Sequence, residues 1–231
     1  MKIYKYILIL IIGQFINCYS ADKTITNGII SLKISSKAGA DVYLKDGNRS
    51  IKAAVSEQVF SVKVSGITAK FKPEIKGNNN QIEISAIDND NRLKAVIIFT
   101  INSKYQDAIL ASYQIENISE NDVELSEVSA ANFILDARSF GADSAYKFLS
   151  FQGSSYISRP DWVFPLTKDY SRENFMGNNN PDYGGGMPIV DLWTKAGGIA
   201  FASTSEYPEQ ISLPVIVAGN NGVEFRIFDK R

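Results

Sequence analysis

Alternation of apolar and polar residues with a period of two is the feature that most constrains how this chain folds. Four segments show it clearly, and in each the apolar side chains fall on one face of an extended strand. They are residues 60–64, 82–86, 109–115 and 223–227. Residues 95–100 are apolar almost throughout, which indicates a strand buried on both faces. No amphipathic helical pattern follows residue 21, so the chain is predicted to be all-β.

Turn signals separate these segments. Asn27-Gly28, Asp46-Gly47 and Asn220-Asn221-Gly222 each fall between strand candidates. Asn and Gly tolerate the positive φ angles that tight hairpin turns require. Many short strands joined by such turns are typical of a large antiparallel β-sandwich. The 231 residues are enough for one such domain with a sizeable core.

Residues 150–193 break the alternation. Aromatic residues, Gly, Pro, Asn and Asp concentrate there, and the alternation resumes only near 199–202 and 211–215. We therefore predict a long loop region over 150–193. A loop of this length inside a compact domain usually has a function or covers another surface.

Composition excludes several kinds of site. The chain contains no His and one Cys, which rules out a Ser-His-Asp triad, an imidazole metal site, a CxxC motif and an intrachain disulfide. A net charge of −1 lacks the electrostatic signature of nucleic-acid binding. Any catalysis would have to use carboxylates, Tyr, Lys, Arg or hydroxyl groups. We predict no metal and no cofactor.

The N-terminus has the pattern of a cleaved secretory signal. Two lysines precede the apolar run 7–12, which is too short to span a bilayer. Small residues before Ala21 predict cleavage after Ser20, with cleavage after Ala21 as the near alternative. Lipid attachment at Cys18 is the less favoured interpretation, because Phe15-Ile16-Asn17 is a poor lipobox. The mature domain is predicted to span 21–231 and to be exported to the periplasm or the exterior.

Aromatic and acidic residues occur together in the 150–193 region. Both tryptophans lie there, and Trp162 and Trp193 each follow an aspartate by one or two residues. A sugar presents a C–H face that stacks on an aromatic ring and hydroxyl groups that donate to carboxylates. The opposing interpretation is structural. Each tryptophan would then be a core or interface residue, and Asp161 and Asp182 would bond nearby backbone in turns.

A glycosidase would need two carboxyl groups flanking one bond. The carboxylates of this region are Asp161, Glu173, Asp182 and Asp191. Their spacing does not show that any two converge, so no nucleophile or acid is assigned among them. Gly184-Gly185-Gly186 lacks the Lys-Ser/Thr ending of a phosphate loop, which argues against nucleotide binding.

Six short motifs, in order along residues 148–217, resemble the N-terminal domain of family 36 glycoside hydrolases, the bacterial α-galactosidase or melibiase-like group. The motifs are Phe151-Gln152-Gly153, Arg159-Pro160-Asp161-Trp162, Glu173-Asn174-Phe175-Met176-Gly177, Asp182-Tyr183-Gly184-Gly185-Gly186, Val190-Asp191-Leu192-Trp193 and Ser212-Leu213-Pro214-Val215.

The resemblance implies a β-supersandwich that precedes a (β/α)8 barrel in the complete enzyme. Retaining hydrolysis of α-galactosides would use two barrel aspartates, so we expect no catalytic residue in this chain, which is too short to add a barrel. The pattern ends abruptly at Arg231, which indicates a fragment; a natural end within a sheet is the alternative. The expected partners are an α-galactoside or another carbohydrate, the barrel in cis, and further copies of the chain in a homo-oligomer; no nucleic acid is expected. The residues expected to border the sugar cleft are Arg159, Asp161, Trp162, Asp182, Tyr183 and Trp193.

Three other interpretations differ in class. A stand-alone secreted carbohydrate-binding module would use the same aromatic loops, and galactoside binding by the isolated chain would favour it. A sugar epimerase similar to the mutarotases is disfavoured, because those enzymes depend on histidine and this chain has none. A purely structural surface protein is the remaining interpretation.

Overall fold

The computed structural model describes residues 22–102, 104–105, 107–151, 163–175, 189–204 and 211–230. Apart from two short 3₁₀ helices, every regular element of these residues is a β-strand, and all their strand pairs are antiparallel. The chain is an all-β sandwich, as the alternation predicts. The predicted signal segment, residues 1–20, lies outside the described residues.

Ten strands form the first half of the chain. In chain order they are β1 (Lys23–Thr26), β2 (Ile30–Ile34), β3 (Ala40–Asp46), β4 (Arg49–Ser56), β5 (Ser61–Val64), β6 (Ile67–Thr68), β7 (Phe71–Gly77), β8 (Gln81–Asp88), β9 (Leu93–Ile101) and β10 (Ile109–Asn117).

The second half begins with the longest strand and continues with shorter ones. The elements are β11 (Leu125–Asp136), 3₁₀ helices at Ala137–Phe140 and Ala145–Lys147, β12 (Leu149–Phe151), β13 (Val163–Pro165), β14 (Ser171–Phe175), β15 (Ile189–Thr194), β16 (Gly197–Ala202), β17 (Ile211–Ala218) and β18 (Gly222–Lys230).

These strands form three sheets. The large sheet has the order β1-β2-β3-β4-β11-β18-β17-β14, and β5 joins it through β11 and carries β6. The second sheet has the order β10-β9-β8-β7, and the third has the order β13-β12-β15-β16. One edge of β11 pairs with β18 along most of the strand. The other edge of β11 pairs first with β5 and then, nearer its C-terminal end, with β4.

Both smaller sheets pack on the same face of the large sheet. One hydrophobic cluster contains Leu32 and Phe225 from the large sheet, Phe99 from the second sheet and Leu192 from the third. The Phe201 ring of β16 stacks on Phe225 with 4.4 Å between ring centroids. The main core is therefore an apolar layer shared by the three sheets. A smaller second cluster contains Val62, Val64, Leu93 and Val128.

The predicted turns occur where Asn and Gly were expected. Gly28 has φ +87° and Gly47 has φ +57°, in the left-handed region that favours glycine. The Asn27 side chain accepts hydrogen bonds from the backbone N–H groups of Ile29 and Ile30, each at 3.0 Å. Between β17 and β18 the positive angle is at Gly219, with φ +69°, rather than at Gly222.

Two expectations about strands were wrong. Residues 150–193 are not one long loop, because β13 and β14 lie inside that region and β12 and β15 lie at its ends. Strands of three to five residues are too short to show a clear alternation. The strand β9 is not buried on both faces either. Ile97 is buried, whereas Val96 and Ile98 are half-buried and have polar cross-strand neighbours.

The apolar layer makes a testable prediction about stability. Phe99 is 2% exposed and lies in the cluster shared by all three sheets. Phe99→Ala should lower the free energy of unfolding by about 3–5 kcal/mol, because it leaves a cavity between the sheets. Urea unfolding measures this loss. Ile67→Ala is the control: Ile67 is 76% exposed, so its change should stay within about 0.5 kcal/mol. Equal losses in the two variants would contradict the assignment of the core.

Candidate functional site

The outer face of the third sheet carries the aromatic and acidic side chains that this part of the chain offers. On β15, Val190 and Leu192 are fully buried in the core. Successive side chains of a strand point to opposite faces, so Asp191 and Trp193 lie on the outer face. On β12, Ser150 is fully buried, which places Leu149 and Phe151 on the outer face as well.

The strand register aligns these side chains in two adjacent rows across the sheet. Phe151 lies directly opposite Asp191, and Leu149 lies directly opposite Trp193. Opposing residues of an antiparallel pair have Cβ atoms about 5 Å apart, and the two rows are about 7 Å apart along each strand. Val163 of β13, which is 43% exposed, extends the first row beyond Phe151. We call Leu149, Phe151, Val163, Asp191 and Trp193 the aromatic platform.

Small residues of β16 lie on the other side of the platform. Ala200 lies opposite Asp191, and Gly198 lies opposite Trp193. A Cβ atom on Gly198 would meet the carbonyl oxygen of Leu192 and lie 2.6 Å from Trp193 Cα. Only glycine fits at this position, so no side chain of β16 covers the indole at this point. The tryptophan is half-buried.

Asp191 is the titratable group of the platform. Its pKa lies above the ordinary value of 3.8, because partial burial disfavours the charged carboxylate; a hydrogen bond from the backbone of Leu192 offsets part of this effect. The neighbouring Phe151 and Trp193 are aromatic and supply no compensating charge. A carboxylate held in such surroundings is a strong acceptor for a ligand hydroxyl group.

The structure brings four of the six sequence motifs together in two pairs. Phe151, the described residue of the first motif, ends strand β12, and the Val190–Trp193 motif lies on the adjacent strand β15. The Glu173 and Ser212–Val215 motifs form the adjacent strands β14 and β17 of the large sheet, where Ser212 Oγ donates to Glu173 Oε2 at 2.9 Å. Glu173 and Asp191 therefore belong to different sheets, and Glu173 has a hydrogen-bond partner within the fold.

The predicted cleft residues divide into two groups. Trp193 is the one that the structure describes, and it lies on the aromatic platform. Phe151, Leu149 and Gly198 were missed as site residues, because only the pairing of distant strands places them beside Trp193. The other candidates lie outside the described residues: Arg159, Asp161, Trp162, Asp182 and Tyr183.

A groove of about 380 Å³ opens on the outer face of the large sheet, on the opposite side of the sandwich. Asn132 lines it, accepts a hydrogen bond from Ser129 Oγ at 2.6 Å and donates to the Gln58 carbonyl oxygen at 3.4 Å. The amide of Asn132 is thus engaged within the protein. Phe225 also lines the groove, but its ring is 6% exposed and stacks on Phe201 in the core. That ring is therefore part of the core rather than a surface for a ligand.

Comparisons with known proteins leave the site to be interpreted from its geometry. No protein-family model matches the chain, and no curated protein matches it. Among the described residues, no three His, Cys, Asp or Glu side chains are grouped so that they could hold a metal ion. No helix of the described part of the chain is both long and apolar enough to cross a membrane.

The raised pKa of Asp191 predicts an unusual pH dependence. The folded state binds this proton more tightly than the unfolded state does, so ionisation costs stability as the pH rises from 3.8 through the raised pKa. Asp191→Asn should remove that loss and raise the melting temperature at neutral pH. Thermal unfolding across a pH series measures the effect.

Asp136 provides a control of opposite sign. Its side-chain hydrogen bonds with Arg138 hold its pKa below 3.8, and this stabilising contribution is present above pH 3.8 and lost as the pH falls further. Asp136→Asn should therefore lower the melting temperature at neutral pH. If Asp191→Asn lowers the melting temperature at neutral pH as Asp136→Asn does, the burial argument for Asp191 is incorrect.

Proposed function

We propose that this β-sandwich is a non-catalytic, sugar-facing domain of an exported α-galactosidase-like glycoside hydrolase. The observation that carries the proposal is the juxtaposition of Trp193, Asp191 and Phe151 on the outer face of the third sheet. The catalytic aspartates are assigned to a (β/α)8 barrel outside this chain. The aromatic platform would border the cleft in which that barrel binds its substrate.

The chemistry of the platform suits a galactoside. The C–H face of a pyranose ring can stack on the indole of Trp193, which Gly198 leaves uncovered. The Asp191 carboxylate, one position along the outer face, can accept hydrogen bonds from ring hydroxyl groups. Leu149 and Val163 add apolar surface, 38% and 43% exposed, that a sugar or a neighbouring domain can cover.

The same face argues for binding rather than hydrolysis. Glycoside hydrolysis uses two carboxyl groups on either side of one bond. Among the described residues of the third sheet, Asp191 is the only carboxylate. Glu173 lies on the large sheet and accepts a hydrogen bond from Ser212. Within the described part of the chain, the platform thus provides an acceptor and a stacking surface, but no acid and nucleophile pair.

The pairing of motifs also supports the proposal. In the family that the sequence resembles, these motifs belong to the N-terminal sandwich. Here two of them build the platform from adjacent strands, and two others pair within the large sheet. Segments far apart in the sequence thus pair with each other, one pair in each of two sheets.

A stand-alone carbohydrate-binding module is the second candidate, because the same platform would serve it. The two proposals make different predictions about the gene downstream of the Arg231 codon. An open reading frame that continues into alternating strands and helices supports the enzyme domain. A stop codon at that point supports the module.

Binding to the platform can be tested with the purified chain. Titration with methyl α-galactoside, followed by intrinsic tryptophan fluorescence and calorimetry, should show saturable binding. Methyl α-glucoside is the comparison sugar. Trp193→Ala should weaken galactoside affinity by about tenfold or more, because the stacking surface is lost. Asp191→Asn should weaken it while leaving the protein folded.

Tyr105→Ala is the matched control for loss of an exposed aromatic residue. Tyr105 is 49% exposed and lies in the connection between β9 and β10, two strands of the second sheet. Its removal should leave galactoside affinity unchanged. An unchanged affinity in Trp193→Ala would instead mean that the aromatic platform is not the sugar surface.

A further inference from the structure

The turn between β1 and β2 contains an Asn-Gly pair that is open to water. In such a pair the backbone nitrogen of the glycine can attack the side-chain amide of the asparagine, because glycine has no side chain to hinder the approach. Gly28 has φ +87°, and a Cβ atom built on it would meet no heavy atom within 4 Å. Asn27 and Gly28 are both exposed. The turn is therefore accessible to the hydroxide and water that this chemistry consumes.

The hydrogen bonds of Asn27 direct its side-chain amide toward that nitrogen. Asn27 Oδ1 accepts the backbone N–H groups of Ile29 and Ile30, each at 3.0 Å. A side chain that bonds the backbone two and three residues further on folds over the peptide group in between. Asn27 Cγ is thereby brought toward the nitrogen of Gly28. The two donors would also stabilise the negative charge that develops on Oδ1 when Cγ is attacked.

The nitrogen of Gly28 is itself hydrogen-bonded to an oxygen that faces water. The Gly28 N–H donates to Thr26 Oγ1 at 3.1 Å, and Ser31 Oγ donates to the same oxygen at 2.7 Å. Thr26 is exposed, so the proton that must leave Gly28 can pass by way of this hydroxyl group to the solvent. The turn thus combines an unhindered nitrogen, a route for its proton and two donors for the developing oxyanion.

We propose that Asn27 is a deamidation site that the folded turn promotes. The Gly28 nitrogen loses its proton to hydroxide and bonds to Asn27 Cγ. The bond from Cγ to Nδ2 breaks, and Nδ2 takes up a proton from water and leaves as ammonia, which gives a cyclic succinimide. Water then opens the ring to aspartate or, when the main-chain carbonyl is attacked, to isoaspartate. The net reaction consumes one water and releases one ammonia.

The second Asn-Gly pair of the chain, at Asn221 and Gly222, lacks these features. Asn221 Oδ1 is buried and accepts no hydrogen bond within the described part of the chain. A Cβ atom on Gly222 would lie 2.6 Å from the carbonyl oxygen of Ala218. The carbonyl oxygen of Asn221 accepts the Ala137 N–H at 2.9 Å. The same dipeptide thus occurs once in an open turn with two donors and once in a crowded turn without them.

Conversion to isoaspartate would weaken the attachment of β1. It inserts one methylene group into the main chain directly after Thr26, the last residue of β1. Within the described residues β1 pairs with β2 alone, and its Ile25 is fully buried in the main core. A longer connection changes how the two strands pair at the turn. The modified chain should therefore have a lower melting temperature than the fresh chain.

Incubation of the full chain in mildly alkaline buffer, followed by peptide mass spectrometry, tests the proposal. Trypsin cleaves after Lys23 and Lys33 and so releases Asn27 in a peptide that has no other asparagine. In the folded chain Asn27 should convert at least about tenfold faster than Asn221, because Asn27 has the oxyanion donors. In urea the two pairs should convert at similar rates. Folding should leave the rate at Asn27 equal to or above its rate in urea.

Gly28→Ala adds a side chain that hinders the attacking nitrogen. Conversion at Asn27 should be lost in this variant both in the folded chain and in urea, where backbone strain plays no part. Gly47→Ala is the matched control, since Gly47 also has a positive φ, +57°, in an open hairpin turn. It should leave the rate at Asn27 unchanged. Ageing should lower the melting temperature of Gly47→Ala but not that of Gly28→Ala.

Two outcomes would overturn the proposal. One is that Asn221 converts as fast as Asn27 in the folded chain. The other is that folding slows conversion at Asn27 relative to urea, since the hydrogen bonds of the turn would then protect the amide. Neither outcome depends on sugar binding.

Discussion

The packing of Phe225 between two other aromatic rings holds the layers of this molecule together. Its ring lies 4.4 Å from Phe201 of the third sheet and 5.7 Å from Phe133 on the neighbouring strand of its own sheet, measured between centroids. β18, which carries Phe225, lies between β11 and β17 in the large sheet. The third sheet is therefore anchored on the middle of the large sheet. The outward position of Trp193 results from that anchoring, because Val190 and Leu192 must face the core.

The large sheet and the third sheet differ in how the fold satisfies their polar side chains. On the large sheet, polar groups such as Ser129, Asn132 and Glu173 are hydrogen-bonded within the fold. On the third sheet, the single described carboxylate lies among aromatic and aliphatic side chains, and burial raises its pKa. A polar group that the fold leaves in apolar surroundings lowers stability, and such costs are typical of ligand sites.

Much of the fold could be predicted from local patterns. The alternating residues 82–86 and 223–227 are strands, and the turns at Gly28 and Gly47 have the expected positive φ angles. The prediction failed where local signals are weak. β13 has three residues, too few for a period of two to be distinguished from chance. β9 looked fully apolar, but half of its side chains meet polar neighbours that belong to other strands.

The sequence by itself determined that the chain is all-β, that histidine-based chemistry is excluded, and that Trp193 lies two residues after an aspartate, at strand spacing. These are properties of composition and of neighbouring residues, so they do not depend on how the strands assemble. Only the tertiary structure decided that Phe151 lies beside Asp191 and that Gly198, which has no side chain, lies opposite Trp193. Those features depend on the pairing of distant strands, which is governed by the burial of apolar faces in one shared core.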